Sequence, residues 1–209
     1  MLDTYALVKE AICALLQTGA QLDAAPSDIF CAAAAGEAST ALPLAFHIPA
    51  ESLALRLNSF NRAQQQTFYG VKLVERVFEC DGRLCFSLTD AFFDAAVREL
   101  NAKLPLPTLP DHTESRAQYA LCRMLMLAKK SGDGCTKEAR PMVWSALGIL
   151  EKQNDKKALK IRLMLAAEHA LEFAADIPLR ERMALYEKNG AAGACAARCL
   201  ALGLDALGR

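Results

Sequence analysis

Apolar residues recur at helical spacing near the start of the chain, at Tyr5, Val8, Ile12 and Leu15, and Gly19 follows as a stop signal. This pattern predicts a helix over residues 3–18. Asp28-Ile29-Phe30-Cys31-Ala32 reads as a short strand. Pro43 and Pro49 bracket Leu44-Ala45-Phe46-His47-Ile48, and Pro49 suits the first turn of a second helix carrying Ser52, Leu53, Leu55, Leu57 and Phe60. The mixture of β-branched and charged residues over 71–79 predicts a strand. Asp81-Gly82 is a hairpin turn signal and Leu84–Leu88 the returning strand. Thr89 or Asp90 then caps a helix whose apolar face is Phe92, Phe93, Ala96, Val97 and Leu100.

The pattern changes at Leu104-Pro105-Leu106-Pro107-Thr108-Leu109-Pro110, where three prolines deny the backbone its helical donors and stiffen an extended segment. Beyond it every periodic stretch is helical, over 113–131, 137–152, 155–175, 178–189 and 191–207. The breaks fall at Ser131-Gly132-Asp133-Gly134, Asn154-Asp155, Asp176-Ile177-Pro178 and Asn189-Gly190. The expected fold is an α+β amino-terminal domain, helices plus a small antiparallel sheet, over residues 1–104. A proline-rich linker, 105–112, leads to an all-α bundle over 113–209.

Composition adds limits. The 209 residues are 53% hydrophobic, ample for a buried core and unlike a disordered chain. Net charge is zero, yet residues 1–107 hold 8 Lys+Arg against 12 Asp+Glu and residues 108–209 hold 16 against 12. A modestly basic second half suits a polyanion partner and equally an ordinary solvated helical surface. Eight cysteines lie scattered among Ala, Leu and Phe with no CxxC pair, and read as buried, reduced thiols. Cys80 and Cys85 flank the hairpin turn, and Cys195 and Cys199 lie one helical turn apart. Without further ligands at matching spacing neither pair is read as a metal site. No signal peptide or anchor is evident and no apolar run is read as reaching the roughly 18 residues of a membrane span, so the cytoplasm, with no membrane partner, is the expectation.

Two segments carry a resemblance. In the first, Gly82, Leu84 and Phe86 alternate toward Leu88-Thr89-Asp90, a strand end and helix cap. This resembles the additional N-terminal domain of arginyl-tRNA synthetases, which grips the outer corner of tRNA. The family's phenylalanine and asparagine, which stack on and hydrogen-bond the D-loop, fall here on Arg83 and Cys85. Arg83 can act instead through stacking and a phosphate contact, or stand as a solvated hairpin arginine.

In the second, Gln118-Tyr119-Ala120-Leu121-Cys122-Arg123 opens a long helix that continues to Lys129-Lys130. It is similar to the opening helix of the DALR anticodon-binding domain, typically Gln-Tyr-Ala-His-Ala/Ser-Arg. The resemblance implies that Gln118 and Tyr119 face RNA, with Tyr119 as a stacking platform. Arg123 either holds a phosphate or pairs with a carboxylate inside the bundle, and Lys129 and Lys130 neutralise phosphates. Leu171-Glu172-Phe173-Ala174-Ala175 falls where the family has a Phe-Tyr-Asn step, so Ala174 and Ala175 supply no second platform. Ala197-Arg198-Cys199-Leu200 and the residues up to Gly208 resemble the last helix, with Arg198 as its polar contributor.

No catalytic domain accompanies these segments. His47, His112 and His169 stand in contexts unlike a His-x-Gly-His loop; there is no Lys-Met-Ser-Lys-Ser loop and no Gly-x-x-x-x-Gly-Lys-Ser/Thr phosphate loop. No Ser/His/Asp or Cys/His set stands out, and Trp144 sits on an apolar helix side as a core residue. The expectation is a non-catalytic, cofactor-free tRNA-binding protein. Its partners would be tRNA, arginine tRNA included, and a tRNA-modifying enzyme or synthetase subunit. A helical protein-interaction adaptor that has lost RNA binding, or an accessory subunit of a split synthetase, are the alternatives.

Overall fold

The computed structural model describes residues 4–31, 37–63, 67–68, 70–110, 113–151 and 155–208. They form two compact units, residues 5–92 and residues 93–208 with Thr4.

The first unit begins with α1 (Thr4–Ala20), on which Tyr5, Val8, Ile12, Leu15 and Leu16 are all buried, as the periodicity predicts. A 3₁₀ turn at Pro26–Asp28 leads into β1 (Ile29–Phe30), and β2 (Ala38–Thr40) returns beside it. A short α2 (Leu42–Ala45) and then α3 (Ala50–Ala63) follow, the second starting just after Pro49. The strand expected over 71–79 is divided. Thr67–Phe68 (β3) and Val71–Lys72 (β4) make their own small pair, whereas β5 (Val74–Cys80) pairs with β6 (Arg83–Leu88) in a sheet of order β1-β2-β6-β5, antiparallel throughout. The break comes where the backbone serves another element: Leu73 O accepts from Thr89 N at 3.0 Å and Lys72 O accepts from the Thr89 hydroxyl.

Asp81 and Gly82 form the hairpin loop, with φ of +51° and +75°. Two positive φ values in a two-residue loop define the turn that matches strand twist; Gly82 accepts its value without strain, and aspartate is among the few other residues that visit this region. Glu79 Oε1 closes the loop by accepting from Gly82 N at 2.7 Å.

The outer edge of β5 is sealed by two side chains of α3. Asn58 Nδ2 donates to Val77 O at 2.6 Å while its Oδ1 accepts from Val77 N at 2.8 Å, and Asn61 Nδ2 donates to Val74 O at 2.9 Å. An amide side chain here does what a neighbouring strand would do, which blunts an edge otherwise open to pairing. Asn58→Ala leaves a buried donor and acceptor without their partner. It is expected to cost about 1–2 kcal/mol in denaturant unfolding; an unchanged midpoint would mean that water replaces the amide at no cost.

Thr89 Oγ1 accepts from Phe92 N at 3.1 Å, so Thr89 caps α4 (Asp90–Lys103). The two units divide within this helix, between Phe92 and Phe93, and not at the proline segment expected to separate them. Most of α4 belongs to the helical unit. Phe93 meets Trp144 edge-on at 6.1 Å, Asp94 Oδ1 accepts from Cys135 N at 2.9 Å, and Asn101 Nδ2 donates to Ala191 O at 2.9 Å.

All five expected carboxy-terminal helices are present: α5 (Arg116–Leu127), α6 (Arg140–Glu151), α7 (Lys156–Glu172), α8 (Leu179–Lys188) and α9 (Gly190–Leu207). A 3₁₀ turn, Lys137–Ala139, leads into α6, whose residues from Met142 to Leu150 are all buried. The bundle is built from α5, α6, α7 and α9, with α9 against each of the other three, while α8 contributes no buried residue.

α9 corrects one expectation. Its 18 residues are long and apolar enough to cross a membrane, with Arg198 and Asp205 their only charges. Their small side chains serve close packing here: ten of them, among them Ala196, Cys199 and Leu200, are buried in the bundle.

Candidate nucleic-acid interface

α5 starts at Arg116, three residues later than its apolar pattern suggests, because Ser115 and Gln118 close a capping box. Ser115 Oγ accepts from Gln118 N at 3.2 Å, and Gln118 Oε1 accepts from Ser115 N at 2.9 Å and Glu114 N at 2.8 Å. Such a box satisfies the free amides of a first helical turn. Gln118, expected to face RNA, therefore has its side-chain oxygen occupied.

From that start, Arg116, Tyr119, Arg123, Met126 and Lys130 recur every three or four residues and fall on one stripe, α5 itself supplying the first four. Tyr119 is 60% exposed and Met126 57%. Arg116, which the sequence reading passes over, is exposed and pairs with Glu168 of α7 at 2.6 Å. Its position one turn before Tyr119 was the signal available. Lys129 lies just past the helix end and is exposed, whereas Lys130 pairs with Glu187 of α8 at 2.7 Å and keeps 29% of its side chain in solvent.

Arg123 looks inward. Its Nη1 donates to Leu171 O at 2.8 Å, and its Nη2 donates to Phe173 O at 2.9 Å and lies 2.9 Å from the Tyr186 hydroxyl. It thus serves the last carbonyls of α7, where a cation also meets the negative end of the helix dipole. Of the two readings open for Arg123, a bundle role is the one the geometry gives it, through carbonyls and a phenol rather than a carboxylate. The step at Leu171–Ala175 contributes backbone: Ala174 takes φ +60° as α7 ends, and Tyr186 stacks on Phe173 with centroids 5.8 Å apart.

Arg198 is also directed within the unit. Its Nε donates to Leu104 O at 2.6 Å and its Nη1 to Asn101 Oδ1 at 2.9 Å, and burial lowers its pKa. Arg83, in the other unit, is exposed beside the hairpin turn at the start of β6.

Between α5 and α8 lies a cavity of about 240 Å³ lined by Arg123, Met124, Met126, Leu127, Lys130 and Tyr186. Its floor is apolar and its cations are already paired.

Five of the cysteines are buried, but Cys13, Cys80 and Cys122 are half-exposed, which corrects the expectation that all would be interior. Burial together with Cys195 pushes the Cys135 thiol up, and a hydrogen bond with Cys195 followed by burial does the same for Cys199. Both stay protonated at neutral pH, the unreactive form of a thiol. Among the described residues no group of three or more His, Cys, Asp and Glu could hold a metal ion. His169, one turn from the end of α7, keeps Nδ1 buried without a partner among the described residues.

The chain is therefore a small antiparallel α+β unit and a helical bundle that carries one outward tyrosine on a cationic helix stripe. No family model, curated protein or solved structure matches it.

Proposed function

We propose that this is a non-catalytic RNA-binding protein whose helical unit engages tRNA through the exposed part of α5 around Tyr119. The observation that carries the reading is Tyr119, a large ring left 60% in solvent on a helix whose other apolar positions are covered, Met126 and the half-exposed Cys122 excepted. An exposed ring flanked by cations is what an unstacked base needs, because the ring offers a π-face and the cations meet the phosphates on either side. Arg116, three residues before it, is exposed but paired with Glu168, so a phosphate would have to compete for it, and Lys129 at the helix end is exposed. Arg83 supplies a further exposed cation in the first unit.

The test is titration of the purified chain with arginine tRNA and with unrelated tRNAs at several salt concentrations. Affinity should fall steeply as salt rises. Binding no tighter than about 10⁻⁴ M near physiological salt would end the proposal. Tyr119→Ala is expected to weaken the complex by about 1–3 kcal/mol with no change in the unfolding midpoint. An unchanged affinity would show that no base stacks there.

A second reading, a protein-interaction adaptor, is favoured by the apolar cavity between α5 and α8 and the exposed Met126 beside it. Under that reading Met126→Glu would abolish partner capture, and Tyr119→Ala would leave it intact.

A further inference from the structure

α7 is apolar on two sides. Leu159, Leu163, Ala166, Ala167 and Ala170 face the bundle, yet Ile161 and Met164 point outward, 61% and 59% exposed. Around them the charges are ordered. Lys157 and Lys160 are exposed on the amino-terminal side, with no ion-pair partner among the described residues. Glu168 and the exposed Glu172 follow on the carboxy-terminal side, and Glu168 spends Oε2 on Arg116 and keeps Oε1. All six share one broad face: on an α-helix turning about 100° per residue they fall within an arc of about 120°, with the adjacent Lys160 and Ile161 on either side of its middle. The order is the reverse of what a helix dipole favours, which places acids first and bases last.

Such a face is complementary to itself. Turned antiparallel about a two-fold axis at Met164, Lys160 comes opposite Glu168 and Lys157 within one residue of Glu172, while Met164 meets its own copy with the Ile161 of each copy one turn to either side. We propose that the outward face of α7 is the interface of a symmetric homodimer, in which the two α7 helices pack antiparallel. A two-fold interface uses one patch twice, so each favourable pair occurs twice. A polyanion or an anionic bilayer fits this face less well. The lysines would attract either, but Glu168 and Glu172 would repel it, and no aromatic ring or unpaired arginine stands on the face to stack a base. This inference does not rest on RNA binding and assigns Lys157 and Lys160 to a partner copy.

The test is sedimentation of the full chain over a concentration series up to about 1 mM. Wild type should show a monomer–dimer equilibrium that weakens with salt, because its ion pairs are exposed. Met164→Glu, at a position too exposed to disturb the fold, should give monomer with the unfolding midpoint that wild type shows at concentrations where it too is monomeric. Lys157→Glu and Glu172→Lys should each weaken the dimer about tenfold, and the two together should restore it. A wild-type chain that stays monomeric, a Met164→Glu dimer as strong as wild type, or a double variant without recovery would each overturn the proposal.

Discussion

Gly190→Ala is expected to destabilise the helical unit by about 3 kcal/mol, the upper range for forcing a group into a filled space. A Cβ at Gly190 would stand 2.1 Å from Lys130 O and 2.7 Å from the carbon of the same carbonyl; one at Gly132 would stand 2.3 Å from Glu187 O. These obstacles are main chain, so no rotamer change relieves them. The loop after α5 crosses the α8–α9 junction with its backbone in contact. Ala191 N donates to Gly132 O at 2.7 Å, and the fully buried Asn189 accepts from Thr136 N at 2.9 Å while donating to Thr136 Oγ1 and Leu185 O. Gly134→Ala is the control. Its Cβ would meet nothing closer than 3.9 Å, so its urea midpoint should stay within about 0.5 kcal/mol of wild type. Equal midpoints for the two variants would show that the crossing relaxes freely.

Arg123→Met is expected to cost about 2–3 kcal/mol, since it removes charged hydrogen bonds and strands Leu171 O and Phe173 O at the end of α7. Lysine should not rescue it, because a single ammonium cannot reproduce a planar fork spread over three acceptors. Tyr186→Phe, which removes only one partner, should cost about 1 kcal/mol. RNA affinity separates the two roles once it is referred to the folded fraction. A positioning arginine leaves that affinity unchanged in Arg123→Met, whereas a phosphate contact lowers it and flattens its salt dependence.

Local chemistry was legible in the sequence. The periodicity of Tyr5, Val8, Ile12 and Leu15, the Asp81-Gly82 turn, the capping threonine before α4 and the breaks between five helices all concern neighbours in the chain, and all appear. Partnerships across long sequence separations were not legible. Arg123 finds its acceptors 48 to 63 residues on, and Arg198 reaches back 94 and 97 residues to the end of α4. The same limit explains the unit boundary, because three prolines announce an extended segment but say nothing of what Phe93 and Asn101 pack against. For the candidate interface, Tyr119 and Lys129 are exposed, and Arg116 was in plain view one turn before Tyr119. Gln118 was the misleading position, since one residue type serves a cap and a base edge equally well.

The placement of α9 governs the order of assembly. Emerging from a ribosome, residues 5–92 can gather their sheet and buried α1 at once, whereas α5, α6 and α7 are synthesised before the helix that each of them packs against. Until Gly190–Leu207 arrives, the surfaces meant for it, Leu127, Ile149 and Leu163 among them, stay open to water and to other chains. The helical unit therefore has a waiting period in its biogenesis, during which a chaperone has the most to protect.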